Sequence, residues 1–185
     1  MKNLTTEIKR VFLKLIYTKP IETINVSSIC DELEIKRQTF YYHYRDIFEL
    51  VDSIFEDYTN ELIKEEMDNE YLKSICEFSL DNNYLISSCI NGGLRDVINK
   101  FYLNLLLPYV SSYVYDLENI KELNNKDIKE IIYYHANALS LYMIDVFKTE
   151  DVIQKDQIIN KIHIFLDVDN LERTASLYYE RRREI

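Results

Sequence analysis

One run of the chain, Lys36 to His43, brings together two cations (Lys36, Arg37), an amide (Gln38), three hydroxyls (Thr39, Tyr41, Tyr42) and an imidazole (His43) around a single strongly apolar residue, Phe40. Cations neutralise phosphates, Arg and Gln make paired hydrogen bonds to base edges, and Thr and Tyr hydroxyls donate to phosphate oxygens. A short helix with one apolar anchor buries little, so its own packing does not account for that composition. The same residues also suit a surface helix whose amphipathic tyrosines plug a crevice. The flanking elements have to separate the two readings.

Leu4, Ile8, Val11, Phe12 and Leu15 keep helical spacing, which predicts a helix over 3–17 that Lys19-Pro20 stops. Residues 21–24 form a short connection. Asn25 is a plausible N-cap for a brief helix over 26–33, with Val26, Ile29, Cys30 and Leu33 facing inward. The turn Glu34-Ile35-Lys36 leads into a third short helix over 37–43, with Phe40 anchored on Leu15 and Ile29. Asp46 then caps a long helix carrying Ile47, Leu50, Val51, Ile54, Phe55, Tyr58 and Leu62. A brace, a capped short helix, a tight turn and a polar-aromatic helix, in that order, outline a helix-turn-helix whose last helix is the reader.

Thr39-Phe40-Tyr41-Tyr42-His43-Tyr44-Arg45-Asp46, followed by Leu50, resembles the amino-terminal signature of TetR-family transcriptional regulators. Ile24-Asn25-Val26-Ser27-Ser28-Ile29-Cys30 resembles the stretch entering that family's second helix. The resemblance covers residues 8–55. It implies an Ω-shaped homodimer that sets two reading heads on a palindromic operator in double-stranded DNA. It further implies a DNA-binding domain over 1–46 and a helical effector-binding and dimerisation domain over 47–185. Carried over, Arg37, Gln38 and Thr39 face base edges or adjoining phosphates. Tyr41, Tyr42 and His43 hold the backbone, and Asn25 and Ser27 give phosphate contacts from the second helix. Three positions depart from the pattern: Glu34 stands at the usual Gly, Lys36 at the usual capping Ser, and Ile47 at the usual Lys. The phosphate contact missing at Ile47 is partly compensated by Lys36.

Composition agrees with an all-helical class. Glycine and proline number two each in 185 residues, about 2% against a usual share of roughly 12%. Turn-rich β architectures and Gly-rich phosphate loops are thereby excluded. Residues 1–47 carry eight Lys/Arg against six Asp/Glu, a net +2, whereas the remaining 138 residues carry 14 against 26, a net −12. A polyanion is therefore met by the first part only. No apolar stretch of about 18 residues predicts a membrane span. The start, Met1-Lys2-Asn3, does not read as a signal peptide, and three widely spaced cysteines (Cys30, Cys76, Cys89) fit a reducing cytoplasm. No metal spacing, paired carboxylates or triad can be assembled, so neither an enzyme nor a bound cofactor is expected.

Beyond Met67 the pattern predicts helices to about residue 81 and over 84–89, then a break at Asn91-Gly92-Gly93. A helix over 94–117 follows, which Pro108 should kink or divide. Residues 119–126 read as a polar loop, and helices over 127–148 and 151–166 precede a last helix ending in Glu180-Arg181-Arg182-Arg183-Glu184. The wide apolar stripes of 127–148 and 151–166 make them the candidate homodimer helices, as the resemblance also implies. Sixteen tyrosines suit an apolar pocket with polar handles, and equally a packed core or interface. For a pocket, Phe78, Phe101, Tyr102, Tyr109, Tyr142 and Met143 are the expected lining, and the acidic surround favours a neutral or cationic effector. His135 reads as a core residue or a ligand contact, His163 as surface or interface, and Cys76 and Cys89 as core fillers or redox sensors. The functional expectation is a repressor modulated by a small effector. The alternative is a TetR-like coactivator, an interaction module without a small-molecule ligand.

Overall fold

Side-chain caps and apolar spacing divide the chain into elements that are all helical among the described residues. The computed structural model describes residues 3–63, 66–148 and 154–183. The first helix, α1 (Leu4–Ile16), starts where the Asn3 side chain accepts the Thr5 amide, and it buries Ile8, Val11, Phe12, Leu15 and Ile16. Its end is closed by the Thr18 and Lys19 amides, both donating to the Leu15 carbonyl just ahead of Pro20. The connection that follows is a 3₁₀ turn (Ile21–Thr23) rather than an open link, and it buries Ile21 and Ile24. Asn25 and Ser28 cap α2 (Val26–Leu33) reciprocally, each side chain accepting the other's backbone amide at 3.1 Å. Then come α3 (Arg37–His43) and α4 (Ile47–Leu62), the latter capped by the Asp46 carboxylate on the Glu49 amide at 2.8 Å.

The helix α4 is held on two sides. Toward α1, Lys9 Nζ donates to the Ser53 carbonyl at 3.0 Å and to the Asp57 carboxylate at 2.6 Å. On the other side, Phe55 and Tyr58 meet Phe101 and Phe78 at ring separations of 5.0 and 4.8 Å, and Lys100 pairs with Asp52 and Glu56. One continuous buried cluster accordingly runs from Ile8 to Ala175.

The larger part is built from α5 (Asn69–Asp81), α6 (Asn83–Cys89), α7 (Arg95–Tyr115), α8 (Asn125–Phe147), α9 (Lys155–Phe165) and α10 (Val168–Arg183). The expected break after α6 is present. Gly93 takes φ 85°, a left-handed conformation suited to glycine, and Gly92 approaches another segment closely, as described below. Pro108 does not divide α7, which is one helix through Tyr115. Proline removes one helical hydrogen bond and crowds the preceding turn. In that turn the buried Tyr71 hydroxyl donates to the Leu105 carbonyl at 2.8 Å.

Residues 119–126 are not the plain polar loop expected. A 3₁₀ turn (Glu118–Glu122), flanked by buried Leu117 and Leu123 and containing buried Ile120, packs under α10, and the Asn124 side chain caps α8 at Lys126 and Asp127. The expected helix start at Asp151 lies outside the described residues, as do Met1, Lys2 and Glu184. No described helix is long and apolar enough to cross a membrane. The three cysteines are buried and unpaired, and burial pushes the Cys76 and Cys89 thiols up to about 12. That favours the core-filler reading over a reactive thiolate.

Candidate nucleic-acid interface

The turn between α2 and α3 is made by Glu34 at φ 54°, ψ 37°, the only non-glycine with positive φ among the described residues. The left-handed residue lets the Ile35 amide return to the Cys30 carbonyl at 3.0 Å, closing α2 and sending the chain off at an angle. Lys36 stands at the N-cap of α3 with extended backbone and makes no side-chain cap. Its carbonyl instead accepts the Thr39 and Phe40 amides.

Phe40 and Tyr44, one helical turn apart, fix which face of α3 is inward: Phe40 is 0% exposed and Tyr44 5%. The opposite face carries Arg37 and Tyr41, and Gln38 and Tyr42, each pair four residues apart and so adjacent along the helix. Tyr42 is 85% exposed and Tyr41 54%. The Lys36, Arg37, Gln38, Tyr41 and Tyr42 side chains make no hydrogen bond or ion pair among the described residues. A helix held by two aromatic anchors thus shows solvent a row of unengaged donors bearing two cations.

The remaining expected residues are placed differently. Thr39 is half-buried. His43 is also half-buried, with Nδ1 3.4 Å from the Thr5 hydroxyl of α1. Asn25 uses its side-chain oxygen as the α2 cap and turns its amide toward the Thr23 carbonyl at 3.4 Å. Ser27 is half-buried in the first turn of α2. Ile47 is half-buried, and its neighbour Phe48 is 55% exposed. Phe48 is not among the residues expected from sequence, yet it carries a signal: it falls outside the apolar stripe of α4, so α4 alone gives it nothing to pack on.

In the body, Phe101, Tyr102, Tyr109 and Met143 are fully buried, and Phe78 and Tyr142 are half-buried. Phe78, Phe101 and Tyr102 share ring contacts, with successive centroid separations of 5.7 and 5.2 Å. The Tyr102 hydroxyl donates to Ser79 at 3.1 Å. The Tyr109 hydroxyl lies 3.1 Å from that of Tyr113 and 3.4 Å from His163 Nε2, which itself meets Asn69 Oδ1 at 3.0 Å. Burial holds the Tyr102 and Tyr109 phenols above their ordinary range, so both stay neutral. Tyr142 sits apart, against Phe165 and under the Lys161 ammonium. His135 is buried with no partner for Nε2 among the described residues, and burial lowers its pKa.

Three depressions are lined by residues other than those six. One of about 740 Å³ follows the outer face of α8 past Tyr133, Tyr134 and Leu141. Another, of about 430 Å³, adjoins it beside Pro108 of α7. The third, of about 370 Å³, lies between the 3₁₀ turn after α1, the start of α4 and the Gly92–Leu94 segment.

No protein-family model matches the chain, and no curated protein matches it in sequence. Among solved structures it is similar to the dihydroxyacetone kinase operon activator DhaS, with a TM-score of 0.61 at 20% identity over 88% of this chain and 93% of that one. At that identity the likeness is one of fold.

Proposed function

We propose that this chain is a DNA-binding regulator of transcription that reads a palindromic operator as a homodimer. The observation that carries the proposal is the outward face of α3, where Arg37, Gln38, Tyr41 and Tyr42 stand unengaged over the buried anchors Phe40 and Tyr44. Lys36 adds a cation at its start, and Thr39, His43, Asn25 and Ser27 flank it as supporting contacts. In this reading residues 1–46 meet DNA, and residues 47–185 pair two copies and respond to a small effector. The fold shared with an operon activator is consistent with it. The TetR-like signature favours a repressor.

Pairing is assigned to α8 and α9. Tyr133, Tyr134 and Leu141 on α8, and Ile164 and Phe165 on α9, are exposed apolar groups that a second copy would cover. A second reading, an interaction module without a small-molecule ligand, is favoured by one observation: Phe101, Tyr102, Tyr109 and Met143 are fully buried and line none of the three depressions described above.

The test is a palindromic fragment selected from host genomic DNA by the purified protein. Arg37→Ala and Tyr42→Ala should each abolish its retention while helicity and oligomer mass stay unchanged. Wild-type affinity should fall with salt by roughly 0.9 log units per phosphate contact per log unit of salt. Retention by both variants, or a flat salt response, would remove α3 as the reader.

A further inference from the structure

Between the end of α3 and the start of α4 lies an elbow of Tyr44, Arg45 and Asp46. Tyr44 has extended backbone, with φ −141° and ψ 134°, and on extended backbone neighbouring side chains point to opposite sides. Burial follows that geometry: Tyr44 is anchored in the core, while the Arg45 side chain is 82% exposed. The anchor that orients α3 therefore also turns Arg45 outward.

The backbone of the elbow is held from α4. The Glu49 carboxylate accepts the Arg45 amide at 2.5 Å, and the Asp46 carboxylate accepts the Glu49 amide at 2.8 Å. Both acidic neighbours of Arg45 are thus committed to backbone donors. Within the guanidinium, Nε meets the second Asp46 oxygen at 3.3 Å, and the two terminal nitrogens make no hydrogen bond among the described residues. An exposed ion pair of that kind is weak and yields readily to a better partner. A planar fork with two open donors suits a phosphate, which accepts parallel hydrogen bonds from both.

We propose that Arg45 is a phosphate contact of the reading head and that Glu49 is the positioning residue that aims it. The proposal rests on the DNA-binding reading above. The helix α3 has seven residues, so it is roughly 10 Å long, close to the major-groove width of about 12 Å. Lys36 and Arg37 stand at its start and Arg45 just past its end, so the head carries cations toward both walls of a groove that α3 enters. Glu49 separates this reading from simple electrostatics. As a bare negative charge it would repel DNA, whereas as a clamp on the Arg45 amide it favours binding. The two accounts predict opposite signs for its removal.

The test is an anisotropy titration of the full chain against the selected palindromic fragment at several salt concentrations. Arg45→Gln should lower the salt slope by about 0.9 per chain, about 1.8 for the homodimer, and Arg45→Lys should keep the wild-type slope. Glu49→Ala should weaken binding about threefold or more, and that loss should vanish when Arg45→Gln is also present. Helicity and oligomer mass check the fold, with titrations run well below each variant's melting midpoint because Glu49→Ala also loses a hydrogen bond. A slope unchanged by Arg45→Gln, in a chain that retains the fragment, overturns the phosphate contact and leaves α3 as the reader. Tighter binding by Glu49→Ala, or a loss that persists beside Arg45→Gln, overturns the positioning role. A wild-type chain that retains no duplex removes the DNA reading and this contact with it.

Discussion

Glu34→Gly should stabilise the protein. Glu34 holds φ 54° and ψ 37° at the end of α2. A left-handed backbone costs a residue with a Cβ about 1–2 kcal/mol, a penalty glycine does not incur. Against this, glycine makes the unfolded chain more flexible, which takes back about 0.4–1 kcal/mol. The difference leaves a gain of about 0.5–1 kcal/mol, and for a domain of this size each kcal/mol moves the melting midpoint by about 2–4 °C. The midpoint followed by circular dichroism should therefore rise by about 1–4 °C. Glu34→Ala separates backbone from charge: it removes the carboxylate but keeps the Cβ, so its midpoint should stay close to wild type. Both variants remove a negative charge from the turn that leads into the reader helix, so both should tighten DNA binding to a similar extent. If Glu34→Ala stabilises as much as Glu34→Gly, the benefit is electrostatic and the backbone argument fails. A lower midpoint for Glu34→Gly would refute it outright.

Gly92→Ala should destabilise by about 1–3 kcal/mol, because a Cβ there would lie 2.1 Å from Ile21 Cγ2. Denaturant unfolding should register that loss, and adding Ile21→Leu, which carries no branch at Cβ, should recover part of it. His135 gives a pH signature. Burial lowers its pKa, so the unfolded chain binds the proton more readily, and stability should decline as pH falls below about 6.5. His135→Phe should flatten the stability profile over that acid window in urea titrations. Native protein at neutral pH should leave Cys30, Cys76 and Cys89 unmodified by maleimide, since all three are buried with thiol pKa values pushed upward; mass spectrometry before and after unfolding reads the contrast.

The head was the most legible part of the sequence because local chemistry marks its boundaries. Asn25 and Asp46 each cap a helix through their own side chains, and Phe40 is the lone apolar residue in a polar run, so α2, α3 and α4 begin where the residue types say. Legibility fell where long-range packing decides. Leu117, Ile120 and Leu123 recur every three residues, the period of a 3₁₀ turn, and among polar neighbours they read as a loop because α10, which covers them, lies far along the chain. Pro108 was expected to kink or divide α7, yet the helix continues through it, with Tyr71, far away in sequence, supplying a donor to the adjoining turn. Asn25 shows the limit of a residue-type argument for the interface: its cap consumes the side-chain oxygen that a phosphate reading leaves free for other use. The contact of Ile21 with Gly92 has no sequence signature, because a close approach is a property of two segments and not of either one.

The double allegiance of α4 has a practical corollary. Lys9 of α1 grips α4 at Ser53 and Asp57, while Phe55 and Tyr58 of the same helix are wedged among the rings of the body. A fragment cut at residue 46 would leave the first three helices without their lid. One cut after α4 would carry two bare aromatics into water. The reading part therefore cannot be grafted onto another regulator like a cassette; a working chimera has to bring α4 together with the surface of α7 that receives it.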